Sequence, residues 1–542
     1  MADTAVFCVA NRAALKSVSS SAEPVVTLAN EGGRNGTFIW TAGNFLSQIA
    51  TDTGEGIYIK ANAVAATSGA WVRNHSGVLN LKWFGIIGDG VADDTAAVQA
   101  AVETAQNTGQ VLLFNAVANS VRTTAPINIT KSIRIYGEGV DPGGKYGPNE
   151  GTNSAGIANR GPGSWLFADH PGRAIVVTSS SSAITGVEIR DIGTIRPQPT
   201  PAAGFVPANN DYDIYIAGAD VTLNNIMLWN STYGIYQTVG AYTYGRLNAK
   251  NIRGQPLLRG IVVENSYDVC RLENIHFWPF WSHNLGVWTY TLANGIALSS
   301  GRNDNPFLSN IFCIFYNIGL RVYGNANGTT YKLKMVNCDI DRGRHGIFVD
   351  STADQFTAHF ENVSAQGETG ATNGAGVIVN GTNAQIAFGK LDLREFAQNA
   401  ILVQGSGNNV SVVDPLILNW DKLAAGTIGI QVNAGSTIDI YGRIRRGTTT
   451  GTGPLMSGGG TLRYPGLVTR GAASITSGNT LVVVNHGLPM TPTNSQIVLS
   501  KLSGLASAVD YWLTGITATQ FTIQVSQNPG TTITFAWRAS LE

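Results

Sequence analysis

The sequence predicts an all-β protein whose central part is a parallel β-solenoid of about 25 residues per coil. Two short strand motifs recur together along the middle of the chain at this spacing. Within each motif apolar and polar residues alternate, which is the period of a strand and excludes helical repeats. Two strand motifs that share one period are typical of coils stacked in parallel.

The first motif has the form apolar–x–Asn–apolar and continues into a strand. Asparagine tolerates left-handed backbone geometry, and its amide can bond the equivalent residue of the next coil. We therefore expect its third position to form a ladder at a corner between strands. This position falls at Asn225, Asn251, Asn274, Asn310, Asn337 and Asn362, with looser copies at Lys390 and Pro415.

The second motif, usually Gly–apolar–x–apolar, follows each copy of the first. Its outward-facing position is mostly apolar, and apolar side chains outside a solenoid require a cover. We expect this face to pack against the same face of neighbouring copies around a threefold axis, which would make a homotrimer. The outward residues are Val262, Ala297, Phe348, Ile378 and Leu402, with Arg321 as the exception.

Four regions are expected along the chain. Residues 1–80 contain short strand-like pieces (TFIW, GIYIK, AWVR) and predict an N-terminal head or neck module. Residues 81–446 predict the β-helix. The Gly- and Thr-rich residues 447–465 predict a linker, and the alternating residues 466–542 predict a C-terminal antiparallel β domain for trimerisation or carbohydrate binding.

An amphipathic helix is predicted near 94–107, ahead of the coils. Asp94 or Thr95 makes a good N-cap, and the pattern ends near Gly109. A helix at this place can cover the open end of a solenoid, whose unpaired strand edge would otherwise invite aggregation.

The composition limits the classes of function. Only 13% of the residues are charged, 64 are glycine, and 35 basic residues balance 35 acidic ones, so no broad field favours nucleic acid or a membrane surface. No run of 18 apolar residues predicts a membrane span. The four cysteines lack metal-ligand or redox spacing and predict buried thiols in a protein that folds in a reducing compartment. The N-terminus has no charged region followed by a long apolar run, so no signal peptide is expected. No metal or cofactor is expected either. His486 is expected to be a turn or strand-end residue.

Three stretches resemble a known family. WFGIIGDGVADDTAAVQAAV (83–102) is similar to the segment that precedes the coils of pectate-lyase-like right-handed β-helix proteins. GGRNGTFIW (32–40) with SGAWVR (68–73) resembles the head of bacteriophage tailspikes, and NHGL…YWLTGITATQFTIQV (485–525) resembles small domains that end phage fibres.

This resemblance implies a right-handed parallel β-helix and a homotrimer in the virion, on the phage tail. The head would attach it to the tail or baseplate, and the protein would fold in the host cytoplasm. The family binds, and usually cuts, bacterial surface polysaccharide. It has no fixed catalytic motif, so the residues below come from the repeat register alone.

Residues two and four positions after each corner are expected to point outward, because the positions between them are apolar. Aromatic side chains gather at the N-terminal end of this outer face and carboxylates at its C-terminal end. The second positions are Met227, Arg253, His276, Phe312, Asp339, Ser364, Asp392 and Ile417. The fourth positions are Trp229, Gln255, Trp278, Ile314, Asp341, Gln366, Arg394 and Asn419.

The aromatic end predicts a sugar-binding surface. Trp229, Trp278 and the nearby Trp281 can stack on the apolar faces of sugar rings, with His276 beside them. The insertion 276–295 is expected to wall one side of the groove. Alternatively, a loop or a neighbouring subunit covers Trp229 and Trp278.

The carboxylate end predicts paired acids. Asp339 and Asp341 are one full pleat apart, about 6.5–7 Å between Cα atoms, which accommodates either geometry of glycoside hydrolysis. Repulsion between them raises the pKa of one, as a general acid requires. Arg342 and Arg394 are expected to bind substrate. Arg342 would either bind an acidic sugar or hold one of the two carboxylates ionised.

Further candidate acids are Asp392, two coils beyond Asp339, Asp304 in GRNDNP (301–306), and Glu361 next to a corner asparagine. For each single carboxylate the alternative is structural, because aspartate near a strand end commonly caps a turn or pairs with arginine.

The function expected first is a phage tailspike that hydrolyses capsule, O-antigen or exopolysaccharide. A lyase would instead use His276 or a tyrosine as base, with Arg342 or Arg394 neutralising a uronate. A third possibility is a receptor-binding spike without catalysis. A cellular pectin-active enzyme is disfavoured by the missing signal peptide and by the head-like segment.

Overall fold

The structure is a computed structural model of the 542-residue chain. It describes residues 7–19, 23–141, 160–178, 184–238, 245–368, 370–442, 444–446 and 453–541. The chain forms two compact units, Met1–Asn317 and Ile318–Glu542. The predicted domain limits stay a prediction, and the linker residues 447–452 lie outside the described residues.

The first unit begins with a small sheet module. Strand β2 pairs antiparallel with β3, β3 with β5 and β5 with β4, while β1 runs parallel to β2. Its core contains Leu15 of the helix Arg12–Ser17 together with Phe38 and Trp71 of the strands. Cys8 is exposed, which corrects the expectation of four buried thiols. The elements are β1 (Cys8–Val9), α1 (Arg12–Ser17), β2 (Val25–Leu28), β3 (Gly36–Ala42), α2 (Leu46–Thr51), β4 (Tyr58–Ile59) and β5 (Gly69–Arg73).

The predicted helix before the coils is present as α3, Thr95–Thr108, between β6 (Val78–Asn80) and the first coil. It ends at Gly109, whose φ of 68° is left-handed and favours glycine. Asp94 occupies the N-cap position, but its carboxylate accepts from the backbone N–H groups of Ile87 and Gly88 instead of capping the helix.

The coils of the first unit form two parallel sheets. One contains, in order, β7, β10, β13, β15, β17, β19 and β21, and the other contains β9, β12, β14, β16, β18 and β20. The bounds are β7 (Val111–Phe114), β8 (Val121–Thr123), β9 (Ile127–Ile129), β10 (Ile133–Gly137), β11 (Trp165–Ala168), β12 (Ile175–Thr178), β13 (Ile184–Ile195), β14 (Tyr212–Ala217), β15 (Ala219–Leu228), β16 (Tyr233–Thr238), β17 (Leu247–Gly254), β18 (Arg259–Val263), β19 (Arg271–Phe277), α4 (Leu285–Asn294), β20 (Ile296–Ser300) and β21 (Phe307–Ile314).

The second unit has the same coil arrangement. One parallel sheet contains β23, β25, β27, β29 and β31, and the other contains β22, β24, β26, β28, β30 and β33. The bounds are β22 (Ile318–Val322), β23 (Leu333–Gly343), β24 (His345–Val349), β25 (Thr357–Gly367), β26 (Val377–Val379), β27 (Gln385–Arg394), β28 (Ile401–Val403), β29 (Asn409–Leu418), β30 (Ile430–Val432), β31 (Thr437–Tyr441), β32 (Arg445–Arg446) and β33 (Met456–Ser457). The predicted parallel β-helix is thereby confirmed.

The chain ends in antiparallel strands, as predicted. Strand β39 pairs with β34 and β36, and β38 pairs with β35 and β37. His486 is buried and its Nδ1 accepts from the backbone N–H of Leu488, which confirms its role in a turn. Across the described residues, no helix has the length and apolarity needed to cross a membrane. The bounds are β34 (Thr461–Ile475), β35 (Leu481–Asn485), β36 (Ile497–Lys501), β37 (Tyr511–Thr514), β38 (Gln520–Val525) and β39 (Ile533–Leu541).

The predicted asparagine corner is confirmed. All six asparagines of the first motif have left-handed φ values between 52° and 56°. Amide bonds join neighbouring coils, as between Asn274 Nδ2 and Asn251 Oδ1 at 2.6 Å, and between Asn362 Nδ2 and Asn337 Oδ1 at 2.9 Å. Asp191, with a φ of 60°, occupies the same corner one coil earlier and was missed by the sequence motif.

The register predicted for the looser copy at Pro415 is wrong, whereas the copy at Lys390 keeps the predicted register, because Val363 pairs with Leu391 and Ser364 with Asp392. The left-handed residue of the last coil is Asp414, with a φ of 45°, and not Pro415, whose ring holds φ near −65°. The pairing shifts on either side of Lys390. Ile417 is consequently buried and does not lie on the outer face.

The apolar face predicted for a threefold contact is partly covered within the chain itself. Val262, Ala297 and Ile378 are buried, whereas Phe348 and Leu402 are half-exposed. The homotrimer stays a prediction.

The corner ladder can be tested at Asn362. Replacement by alanine removes the amide bond and leaves a residue that tolerates left-handed backbone less well than asparagine, so we expect a loss of about 2 kcal/mol in the free energy of unfolding. Asn362→Gly keeps the backbone conformation and should lose about half as much. Urea denaturation of both variants measures this, and equal losses would contradict the backbone contribution.

Candidate functional site

The outer face of the first unit is covered, not open. Trp229 and Trp281 are fully buried, in a cluster with Phe205 and with Val287 of helix α4. The predicted sugar-stacking role of Trp229 and Trp281 is therefore wrong. The physical reason is that the insertion 276–295 folds back over the coils as a helix-bearing cover and does not stand beside them as a wall.

The same cover explains two further departures from the expected outward positions. Met227 is fully buried in this cluster. The Gln255 side chain is buried and accepts hydrogen bonds from the backbone N–H groups of Trp281 and Ser282. Gln255 therefore has a structural role, because its side chain anchors the backbone of the insertion.

A half-exposed aromatic patch remains on this unit, made of His276, Trp278 and Phe312. The His276 ring lies 5.3 Å from Phe312 and 6.4 Å from Trp278. Burial, and then the charge of Arg253, lower the pKa of His276, so its imidazole is neutral at neutral pH. Because both side chains are half-exposed, His276 and Trp278 are the predicted aromatic residues whose surface a sugar ring can reach.

Asp304, also in the first unit, lies in an ion pair. Two N–H groups of Arg302 donate to its carboxylate at 2.7 and 3.2 Å. An ionised carboxylate held by a guanidinium is a poor proton donor, so the structure favours the structural role for Asp304.

The second unit brings predicted acids together on one outer face. Asp339 on β23, Ser364 on β25 and Asp392 on β27 are directly opposite one another in register, and we call this set the acid row. The Ser364 hydroxyl donates to Asp339 at 2.6 Å. Adjacent strands are about 4.8 Å apart, so the backbones of Asp339 and Asp392 lie roughly 10 Å apart.

Asp341 lies on the same face as Asp339, because Cys338 and Ile340 between them are buried. Asp341 is half-buried, and this burial raises the pKa of its carboxyl. The charge of Asp339 raises the pKa further, and a backbone hydrogen bond from Arg342 opposes it. The two carboxyls thus differ in environment, since Asp339 is exposed and Asp341 is half-buried, and the raised pKa makes Asp341 more inclined to keep its proton than an aspartate in water.

Both arginines predicted to bind substrate are engaged by carboxylates. Arg394 donates to Asp392 at 2.8 and 2.5 Å, and Arg342 donates to Glu368 at 2.8 and 3.1 Å. Their charges are thereby balanced within the protein. Glu368 was not predicted, because it follows a register shift at the end of β25 that the repeat does not reveal.

Glu361 lies apart from the acid row, on the other side of the corner residue Asn362. It lines an open pocket of about 790 Å³, which we call the corner pocket. Apart from Glu361, the repeat pattern did not reveal this set, because the corner of the last copy was predicted at Pro415 and lies at Asp414. The pocket is lined by His359, Glu361, Gly389, Lys390, Val413, Asp414 and Arg445. Within the described ranges, no cluster of three or more His, Cys, Asp or Glu suited to a metal ion is found.

The buried and exposed tryptophans predict opposite effects of substitution. Trp229→Ala should lower the free energy of unfolding by about 3–5 kcal/mol, because it empties a packed site. Trp278→Ala should cost clearly less stability and should weaken binding of polysaccharide. Urea denaturation together with glycan binding checks this, and a stable Trp229→Ala variant with reduced binding would restore sugar stacking as the role of Trp229.

The raised pKa of Asp341 predicts a pH-dependent gain in stability for Asp341→Asn. A carboxyl whose folded pKa is raised favours the folded state only while protonated, and this contribution is lost as pH rises through the folded pKa. The variant should therefore melt at a higher temperature than the wild type at pH 7 and at a similar temperature at acidic pH. Thermal unfolding across this range makes the comparison, with Asp510→Asn, at an exposed aspartate of the same unit, as the control, and no gain at pH 7 contradicts it.

Comparison with known proteins finds no matching family model and no matching curated protein. Among solved structures, the chain is similar to the gp42 tailspike of Acinetobacter phage vb_AbaP_AS12, at 10% identity and a TM-score of 0.46, over 98% of this chain and 93% of that one. It is similar to gp49 of Acinetobacter baumannii bacteriophage Fri1, a tailspike and capsular polysaccharide depolymerase, at 11% identity and 0.37, over 99% and 98%. It is also similar to Pantoea stewartii WceF, a glycan biofilm-modifying enzyme, at 11% identity and 0.34, over 98% and 70%.

Proposed function

We propose that the protein is a phage tailspike that binds bacterial surface polysaccharide and depolymerises it by glycosidic hydrolysis. The observation that carries the hydrolytic proposal is the pair Asp339 and Asp341, two outward carboxyls on one strand in different environments. Asp341, whose pKa is raised, would protonate the leaving oxygen as general acid. Asp339, held by Ser364, would act as base or nucleophile.

At Asp339 and Asp341, the ion pairs of the neighbouring Arg342 and Arg394 favour hydrolysis over β-elimination. A lyase needs a cation free to neutralise the carboxylate of a uronate before its neighbouring proton is abstracted. Arg342 and Arg394 are each bound by a carboxylate of the protein, so neither is available without breaking an ion pair.

Two other features support polysaccharide as the substrate. Parallel coils expose a long row of outward side chains at a regular spacing, which suits a polymer. The aromatic patch of the first unit offers half-exposed rings of the kind that stack on sugars. The phage assignment rests on the resemblance of the head segment to bacteriophage tailspikes and of the C-terminal segment to small domains that end phage fibres and spikes.

The decisive experiment compares the wild type with Asp339→Asn and Asp341→Asn on the surface polysaccharide of the host cell. We expect the wild type to release reducing ends without the ultraviolet absorbance of a conjugated double bond. Each substitution should lower the rate about 10²–10⁴-fold, the usual contribution of a positioned acid or base.

The control is Asp354→Asn, an exposed aspartate of the same unit that lies outside the acid row. It should keep full activity. Appearance of the absorbance would replace hydrolysis by elimination, and full activity of both acid variants would remove the pair from the mechanism. Binding of the polysaccharide without release of reducing ends or of unsaturated products would support a receptor-binding spike without catalysis.

A further inference from the structure

The corner pocket of the second unit combines charges from successive coils. Glu361 comes from β25, Lys390 from β27, Asp414 from β29 and Arg445 from β32, which pairs with β29. Coils rise by about 4.8 Å, so these groups span roughly 15 Å along the surface. This length suits a short stretch of a sugar chain.

The carboxylates of the pocket lie against glycines of the following coil. A β-carbon on Gly389 would overlap the carboxylate of Glu361. A β-carbon on Gly442 would overlap the carboxylate of Asp414, and Gly442 has a left-handed φ of 75°. Glycine at these two positions leaves the carboxylates of Glu361 and Asp414 room to lie against the following coil, and both residues line the pocket.

The basic side chains of the pocket, Lys390 and Arg445, do not form ion pairs with its acidic side chains. The nearest ion-pair partner of Glu361 is His359, with 3.7 Å between His359 Nε2 and Glu361 Oε2. Within the described part of the chain, Lys390 and Arg445 form no ion pair shorter than 4 Å. Both cations are exposed. The pocket therefore presents two cationic donors beside two anionic acceptors, with an open volume between them.

We propose that the corner pocket binds an acidic sugar, a uronic acid unit, of the polysaccharide substrate. Lys390 and Arg445 would donate to the sugar carboxylate, while Glu361 and Asp414 would accept from its hydroxyls. Two positive and two negative side chains leave the pocket nearly neutral, which favours a singly charged group over a phosphate dianion.

The position of the pocket links it to the acid row. Strand β25 carries both Glu361 and Ser364, and β27 carries both Lys390 and Asp392, on either side of the corner. A sugar chain held at the acid row therefore has the pocket within about one or two sugar units. In this respect the inference rests on the proposed function and assigns its substrate class.

The test uses the full chain and two matched probes, hexagalacturonate and the neutral galactose hexasaccharide. Calorimetry should show about tenfold tighter binding of the acidic probe by the wild type, the usual effect of a charge-assisted hydrogen bond. Lys390→Met/Arg445→Met should abolish this preference. The control Lys332→Met/Lys334→Met removes the same charge from exposed positions outside the pocket and should keep the preference.

Equal binding of the two probes by the wild type would overturn the inference, and so would a preference that survives in Lys390→Met/Arg445→Met. Thermal unfolding midpoints equal to the wild type exclude loss of fold in either double variant. The proposed function is tested separately. If the protein prefers the acidic probe but releases no reducing ends, the proposal for the pocket is supported and the proposed hydrolysis is contradicted. Release of reducing ends by a chain without the preference supports the hydrolase while the pocket fails.

Discussion

The parallel pairing of successive coils, kept in register at a left-handed corner, is the constraint on which the candidate site depends. In the second unit, pairing of β23 with β25 and β25 with β27 sets Asp339, Ser364 and Asp392 side by side. A slip of one residue would turn Asp339 into the core and Ile340 outward, since side chains alternate along a strand. The amide bond between Asn362 and Asn337 ties the register at the corner itself.

The same constraint explains why a strand tolerates several carboxylates on its solvent face. Asp392 is neutralised by Arg394, and the charge of Glu368 is balanced by Arg342. Asp339 accepts a hydrogen bond from the Ser364 hydroxyl. The pKa of Asp341 is raised, because this carboxyl is half-buried beside the like charge of Asp339. Burial and the charge of Asp339 thus favour the protonated form of Asp341, which is the condition that proton donation requires.

Sequence reasoning succeeded where local rules decide. Alternation placed Asp339 and Asp341 outward, and the left-handed tolerance of asparagine placed Asn337 at a corner. It failed where distant segments decide. Trp229 occupies an outward position, yet helix α4 and the segment of Phe205 cover it, and no pattern within one coil reveals what another segment packs against. The error at Pro415 was avoidable, since proline cannot take the left-handed corner.

The corner also separates two chemical surfaces on the same strands. On β25 and β27, the residues before the corner line the corner pocket, and those after it form the acid row. The core residues between them, such as Val363 and Leu391, are buried and maintain the coil. Outward positions can therefore change without altering the packing that holds the backbone. A scaffold of this kind can change the side chains on one side of the corner while it keeps the carboxyls on the other, because the buried core holds the backbone in place.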